Sequence, residues 1–362
     1  MDEKRPVKIQ VRGLSKVFGK QPKKALELRD QGLKRPEILE KTGQTLGLSD
    51  ISFDVYEGEL LVIMGLSGSG KSTLIRCLNR LIDTTEGEIV IDGENIPTLG
   101  EKALLECRRR HFSMVFQNFA LFPHRTVQQN AEFGLEIRGV EKSERQSIAH
   151  NALKQVGLEG WEDAYPNQLS GGMQQRVGLA RALANDASVL LMDEAFSALD
   201  PLIRKDMQQE LLQLQSKMQK TTVFITHDLA VVAQMADRIM VMRHGRVVGT
   251  CDPKTTAARD MAEQMVGATL ATPSRAGGRT GEVVLELTGL SAPAPRAFGT
   301  ALRGIDLQLR AGEVLGIGGV AGNGQDELLA ALSGERTTAP KTITLEGAPV
   351  GRMGPNARRA VG

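Results

Sequence analysis

The sequence predicts an α/β fold, a buried parallel sheet flanked by helices, on three observations. Residues 59–64 (ELLVIM) form an apolar run of the kind that fills a strand covered on both faces. That run leads straight into a glycine-rich loop and then a helical pattern over 72–81. Two more buried strands read at 188–192 and 222–226 with helical stretches between, and such alternation builds parallel sheets.

Taken in order, residues 7–12 (VKIQVR) alternate and read as a first strand. The polar stretch 20–47, rich in Lys, Glu and Leu, reads as one or two short helices. A strand at 51–55 precedes the apolar run. Residues 100–165 are mostly helical in composition, with turn signals at Phe122-Pro123 and Gly139. The texture changes after Gly267. Residues 271–281 (ATPSRAGGRTG) read as a linker, and 283–362 are rich in Ala, Gly, Leu and Arg. This last stretch also repeats the start of the chain. VVLELTGLSA echoes VKIQVRGLSK, and LRGIDLQLRAGEVLGIGGVAGNGQ echoes LSDISFDVYEGELLVIMGLSGSGK. The expected organisation is a domain over 1–267, a linker over 268–282, and an incomplete second copy over 283–362.

Composition narrows the function. The 362 residues carry 45 Lys and Arg against 43 acids, a net charge of +2, which argues against a chain built to coat nucleic acid. The three cysteines have neither CxxC nor metal-ligand spacing and fit a reducing compartment. No apolar run reaches the roughly 18 residues a membrane span needs. The N-terminal MDEKRPVKIQ lacks the apolar segment of a signal peptide. A cytoplasmic protein is expected, with any membrane role exercised through a partner.

Gly65-Leu66-Ser67-Gly68-Ser69-Gly70-Lys71-Ser72 satisfies GxxxxGK[ST] between a buried strand and a helix. Its glycines let backbone N–H groups converge on one anion, and the following helix adds its positive dipole end. Lys71 would reach the β- and γ-phosphates, and the Ser72 hydroxyl would bind Mg²⁺. Residues 189–194 (VLLMDE) put two carboxylates at the end of a buried strand, where ligands of α/β sheets gather. Asp193 fits the Mg²⁺-holding role and Glu194 the general base. Leu169-Ser170-Gly171-Gly172-Met173-Gln174-Gln175-Arg176 lies just upstream, with Ser170 a good helix N-cap.

With this segment the sequence resembles the ATP-binding subunits of ABC transporters, in which LSGGQ-type segments are diagnostic. The resemblance runs from residue 7 to about 267 with every motif in order. It is closest to the subunits of glycine betaine/proline-type importers. The insertion 20–47 and the matches MGLSGSGKSTLIRCLNRLI, MVFQNFALFPHRTV and LLMDEAFSALDPLIR carry the narrower claim.

The resemblance implies a P-loop NTPase core with an antiparallel β subdomain and a helical signature subdomain at about 100–175. It implies that Gly65, Ser67, Gly68, Ser69, Gly70, Lys71, Ser72 and Thr73 hold ATP. Gln117 would touch Mg²⁺ and report nucleotide state. Ser197-Ala198-Leu199-Asp200 resembles the loop that crosses the dimer interface, and His227 the histidine that holds the γ-phosphate. Phe18 is the candidate to stack on adenine. Family members dimerise head to tail, so Ser170, Gly171, Gly172 and Gln174 would cap the ATP of a second subunit. An integral-membrane permease, and through it a substrate-binding protein, are the implied partners, on the inner face of the membrane. The run Arg108-Arg109-Arg110-His111 reads as a solvated helix face.

The pattern breaks in the repeat. Its loop reads Gly319-Val320-Ala321-Gly322-Asn323-Gly324-Gln325-Asp326, with Gln and Asp where Lys and Ser/Thr belong. A carboxylate there repels phosphate, so no catalytic ATP site is expected. Residues 246–362 resemble the ATPases of sugar or nucleoside importers, and 226–245 resemble oligopeptide-type cassettes, so the chain reads as a mosaic. Another ABC importer, for sugars, nucleosides or peptides, is therefore the alternative. A soluble, non-transport ABC ATPase is a remoter one. Its long coiled coils have no room in the roughly 100 residues between Gly70 and Ser170, which lack sustained heptads.

Overall fold

A computed structural model describes residues 5–117, 119–196, 204, 207–209, 211–213, 220–226, 235–269, 281–294, 299–319 and 322–361. The chain divides into two compact units, Met1–Leu270 and Ala271–Gly362.

In the first unit, strand β1 (Val7–Phe18) is followed by helices α1 (Pro22–Asp30) and α2 (Arg35–Thr42), then by β2 (Thr45–Tyr56) and β3 (Leu60–Met64). Both helices begin with proline in their first turn, and α2 ends at Gly43 in the left-handed conformation. Ala25 and Ile38 bury against Val17 and Leu46, which seats the pair on the end of the β1–β2 ladder. Arg29 bonds to Ser15 Oγ at 2.8 Å and to Glu86. Of the one or two short helices expected, the insertion forms two, and its last residues belong to β2. The first strand likewise runs six residues beyond the alternating stretch, because β2 and β4 pair with it along its length.

Helix α3 (Lys71–Leu78) leads to β4 (Glu86–Ile91) and β5 (Glu94–Asn95), completing an antiparallel sheet of order β2-β1-β4-β5. Then come α4 (Glu101–His111), β6 (Phe112–Val115), α5 (Val127–Ala131), α6 (Phe133–Ile137), α7 (Lys142–Gln155) and α8 (Gly171–Ala184). Strands β7 (Val189–Asp193), β8 (Thr221–Ile225), β9 (Arg238–Arg243) and β10 (Arg246–Cys251) precede α9 (Ala258–Val266). The second sheet has the order β10-β9-β3-β8-β7-β6. All its pairs are parallel except β9–β10.

Period-two alternation explains why this sheet is apolar on both faces. Leu61 and Ile63 pack with the antiparallel sheet and α3, while Leu60, Val62 and Met64 pack with the helical region, all 0–2% exposed. Each such burial contributes about 1.5–3 kcal/mol. The run 108–111 is only partly a solvated face. Arg108 donates to the carbonyls of Asn79 and Arg80, and His111 is buried. Among the described residues no helix is long and apolar enough to cross a membrane.

The second unit holds β11 (Val283–Ala292), β12 (Leu302–Arg310), α10 (Gln325–Ser333), β13 (Ile343–Leu345), β14 (Ala348–Pro349) and α11 (Pro355–Arg359). Its antiparallel sheet has the order β12-β11-β13-β14. Arg358 is buried and donates to five carbonyls, those of Ala331, Leu332, Val350, Gly351 and Met353, tying the end of α10 to the closing loop. Residues 313–319 (EVLGIGG) form no strand, and Val314 is 87% exposed. In the first unit β3 is held between β8 and β9, and the described residues of the second unit include no such neighbours for an apolar segment.

Candidate nucleotide-binding site

The parallel sheet brings the site together because β3 lies next to β8, and β8 next to β7, so loops from three strand ends open on the same edge. The loop after β3 turns back on itself. Gly65 has φ 153°, and a Cβ there would sit 2.2 Å from the Met242 carbonyl oxygen. Only glycine fits. Gly245 N–H donates to Ser69 O at 2.8 Å, bracing the loop from the turn between β9 and β10.

Lys71, the first residue of α3, is 4% exposed. Its Nζ donates to Gly65 O at 2.9 Å and Leu66 O at 3.1 Å, and lies 3.9 Å from Glu194 Oε1. Burial lowers the ammonium pKa, while Glu194 and then Asp193 pull it back up. Ser72 Oγ donates to Asp193 Oδ1 at 2.8 Å, and Arg76 Nη2 pairs with Asp193 Oδ2 at 3.0 Å. Asp193 is 1% exposed at the end of β7. Glu194 follows with φ 49°, a left-handed turn that a non-glycine residue adopts at a cost. It turns from the sheet into the cleft.

That cleft measures about 450 Å³. Of the residues singled out in the sequence, Phe18, Ser67, Gly68, Gly70, Lys71, Ser72, Thr73, Gln117 and Glu194 line it. Gly65 and Ser69 support it from within the loop, and Asp193 lies behind Ser72. The Phe18 ring is 41% exposed and covers Gly47, whose missing Cβ would lie 2.8 Å from Phe18 Cε2. Ser72 and Asp193 set two hard oxygens side by side, which suits Mg²⁺. That ion takes one or two protein oxygens and completes its shell with water and phosphate. The described residues contain no cluster of three or more His, Cys, Asp or Glu side chains able to hold a metal by themselves.

Gln117 lies just past β6, on the way to the helical region. Phe119 and Ala120 both have φ near 50°, and Arg181 donates to both of their carbonyls. Asn130, fully buried, accepts from Phe122 N–H and donates to the carbonyls of Phe122, Arg125 and Thr126.

The signature lies elsewhere. Ser170 Oγ accepts from Met173 N–H at 3.3 Å as the N-cap of α8, and Gly171 is exposed. Gln174 Nε2 donates to Pro166 O at 3.0 Å and Leu169 O at 3.3 Å, so its amide braces the segment. None of Ser170, Gly171, Gly172 and Gln174 lines the cleft. Ser197, Ala198, Leu199, Asp200 and His227 lie outside the described residues. Three lining residues escaped the sequence reading: Arg35, Thr45 and Gly47. They belong to the insertion or its edge, and no local pattern marks a helix N-terminus as part of a distant cleft.

Residues 48–197 match the family model of the ABC transporter. The chain is 59% identical over 254 residues to the glycine betaine transport ATP-binding protein OpuAA of Bacillus subtilis, covering 70% of this chain and 60% of that protein. It is 49% identical to the trimethylamine N-oxide transport system ATP-binding protein TmoW of Pelagibacter ubique, covering 66% of this chain and 69% of that protein. The chain thus spans less than two thirds of OpuAA. Among solved structures, the ATP-binding cassette MJ0796 in a dimeric post-hydrolysis state bound to ADP and Pi is matched with a TM-score of 0.59 at 31% identity. The match covers 68% of this chain and all of that one. A phosphate-type loop, a Ser–Asp pair beneath it and this extent of likeness have one explanation: the chain belongs to the ABC transporter ATP-binding family.

Proposed function

We propose that the chain is the ATP-hydrolysing subunit that energises an ABC importer for glycine betaine/proline-type compatible solutes. The carrying observation is one cleft in which Lys71, Ser72, Gln117 and Glu194 converge, with Asp193 bonded to Ser72 behind them. The substrate class rests on relatives named as glycine betaine and proline betaine transport proteins.

In this reading the N–H groups of 65–72 and the Lys71 ammonium grip the triphosphate. Lys71 exchanges its two carbonyl acceptors for phosphate oxygens. Phe18 offers its exposed ring to the base. Ser72 and Asp193, with Gln117, would hold Mg²⁺, which supplies charge neutralisation at the β- and γ-phosphates. Glu194 accepts a proton from the attacking water, and His227 steadies the γ-phosphate. Ser170, Gly171, Gly172 and Gln174 do not line their own cleft, as expected if they seal the ATP of a second subunit in a head-to-tail dimer. Closure follows ATP binding and opening follows hydrolysis. A permease docked near Gln117 and the FALFPHRTV segment holds the subunit at the inner face of the membrane and, with a substrate-binding protein, turns that motion into transport.

Replacing Glu194 by Gln tests the core of the proposal. Steady-state ATPase should fall about 10²–10⁴-fold with nucleotide affinity retained. Unchanged turnover removes Glu194 as the base. Co-purification with a betaine permease and betaine-stimulated ATPase tests the substrate class.

We assign the boundaries 1–267, 268–282 and 283–362 to an ATP-binding domain, a linker and a truncated second copy. The sheet order β12-β11-β13-β14 repeats β2-β1-β4-β5, which supports the duplication. Gln325 replaces the lysine of the loop and folds over Gly319, its Nε2 lying 2.1 Å from where a Cβ would sit. Together with Asp326 it leaves this loop unsuited to a triphosphate. The sugar-type character of 246–362 favours the second reading, an importer of sugars or nucleosides.

A further inference from the structure

We propose that Arg35, carried by the insertion 20–47, is a nucleotide-contacting residue that grips the nucleoside end of ATP beside Phe18. The inference rests on the cleft being the ATP site. Arg35 lines that cleft together with Phe18 and Thr45, which face each other across the end of the β1–β2 ladder. It is half-buried, and among the described residues no ion pair or hydrogen bond engages its guanidinium. Burial alone acts on it, lowering its pKa, whereas every other arginine lowered in this way donates to backbone carbonyls. A half-buried guanidinium that lines the cleft with no partner among the described residues can turn its N–H groups to a ligand that enters.

The mount is rigid. Lys34 N–H donates to Glu37 Oε2 at 2.6 Å, which fixes the start of α2, and Pro36 follows Arg35 directly. Ile38, on the next turn, is fully buried against Val17 and Leu46. Gln44 accepts from Gln21 N–H and donates to Thr42 O, joining the two ends of the insertion. The backbone that carries Arg35 is therefore fixed before any ligand arrives. A planar guanidinium stacks on aromatic rings, and its N–H fork matches purine nitrogens and ribose oxygens. The phosphates already have their cation in Lys71, at the start of α3.

Binding of ATP, ADP and inorganic tripolyphosphate to the full chain separates the roles. Arg35→Ala should weaken ATP and ADP about tenfold each and leave tripolyphosphate unchanged. Arg35→Lys keeps the stem and charge, should keep the wild-type melting temperature, and should still lose several-fold in ATP affinity. Wild-type ATP affinity in the lysine variant, or an equal loss of tripolyphosphate in the alanine variant, overturns the proposal. Lys71→Ala serves as the reference. If it loses both ATP and tripolyphosphate while the Arg35 variants bind normally, the nucleotide site stands and only the role of Arg35 falls.

Discussion

Replacing Lys71 by methionine separates the cost of burying a charge from its use. The ammonium is 4% exposed and is held by the carbonyls of Gly65 and Leu66, with Glu194 at 3.9 Å. Methionine keeps the stem and removes the charge. Losing the ammonium removes the desolvation cost of a buried charge, which stabilises, while each carbonyl deprived of its donor costs about 1 kcal/mol. The effects oppose one another, so without nucleotide the melting temperature should move by less than about 3 °C. With nucleotide the two proteins part. Losing a buried ammonium–phosphate pair costs about 3 kcal/mol, or about 150-fold in Kd. At an ATP concentration about a hundredfold above its Kd, the wild type gains about 2.7 kcal/mol and melts about 5–8 °C higher. The variant at the same concentration gains about 0.3 kcal/mol, a rise of about 1 °C. Scanning calorimetry with and without ATP reads all four melting points. An ATP-induced rise of wild-type size in the variant refutes the assignment of Lys71 to the phosphates. The pH profile adds a second check. Burial holds the folded-state pKa of Lys71 below its ordinary 10.5. Between that lowered value and 10.5 the unfolded chain carries the proton and the folded chain does not, so stability rises with pH across the window. The methionine variant should lack this component of the rise.

Two further substitutions probe the scaffold. Asn130→Ala removes the side chain that answers four backbone groups between Phe122 and Thr126. Urea unfolding should show a loss of about 2–4 kcal/mol, and a loss below about 0.5 kcal/mol would contradict the bracing role. Arg358→Met leaves five carbonyls of the second unit without their shared donor. Amides of β11 and β13 should then exchange with solvent at least tenfold faster, with those of β3 and β7 unaffected, because the substitution lies in the other unit.

The strands and loops that carry the chemistry could be read from the chain because their signals are local. Five apolar residues in a row, a glycine pattern before Lys71 and two acids after a buried strand each report on a few neighbours. The strand β6 could not be read this way. Its four residues follow directly on α4, and only pairing with β7 makes them extended. The extra length of β1 and β2 is likewise a property of their ladder rather than of either segment. Arg108 looks like a surface cation in sequence, and it is the nearby carbonyls of Asn79 and Arg80 that draw it inward.

The amino-acid sequence by itself determined the α/β class, the phosphate-type loop, the acidic strand end and the capped signature helix, since each depends on backbone preferences within about ten residues. Only the tertiary structure decided which of these share a cleft. Sheet order sets Ser72 against Asp193 across more than a hundred residues of chain, and the packing of Ile38 on Val17 and Leu46 carries Arg35 to the same opening. The same dependence explains 313–319. An apolar segment becomes a buried strand only where partners lie on both sides of it, and in the second unit the described residues supply none.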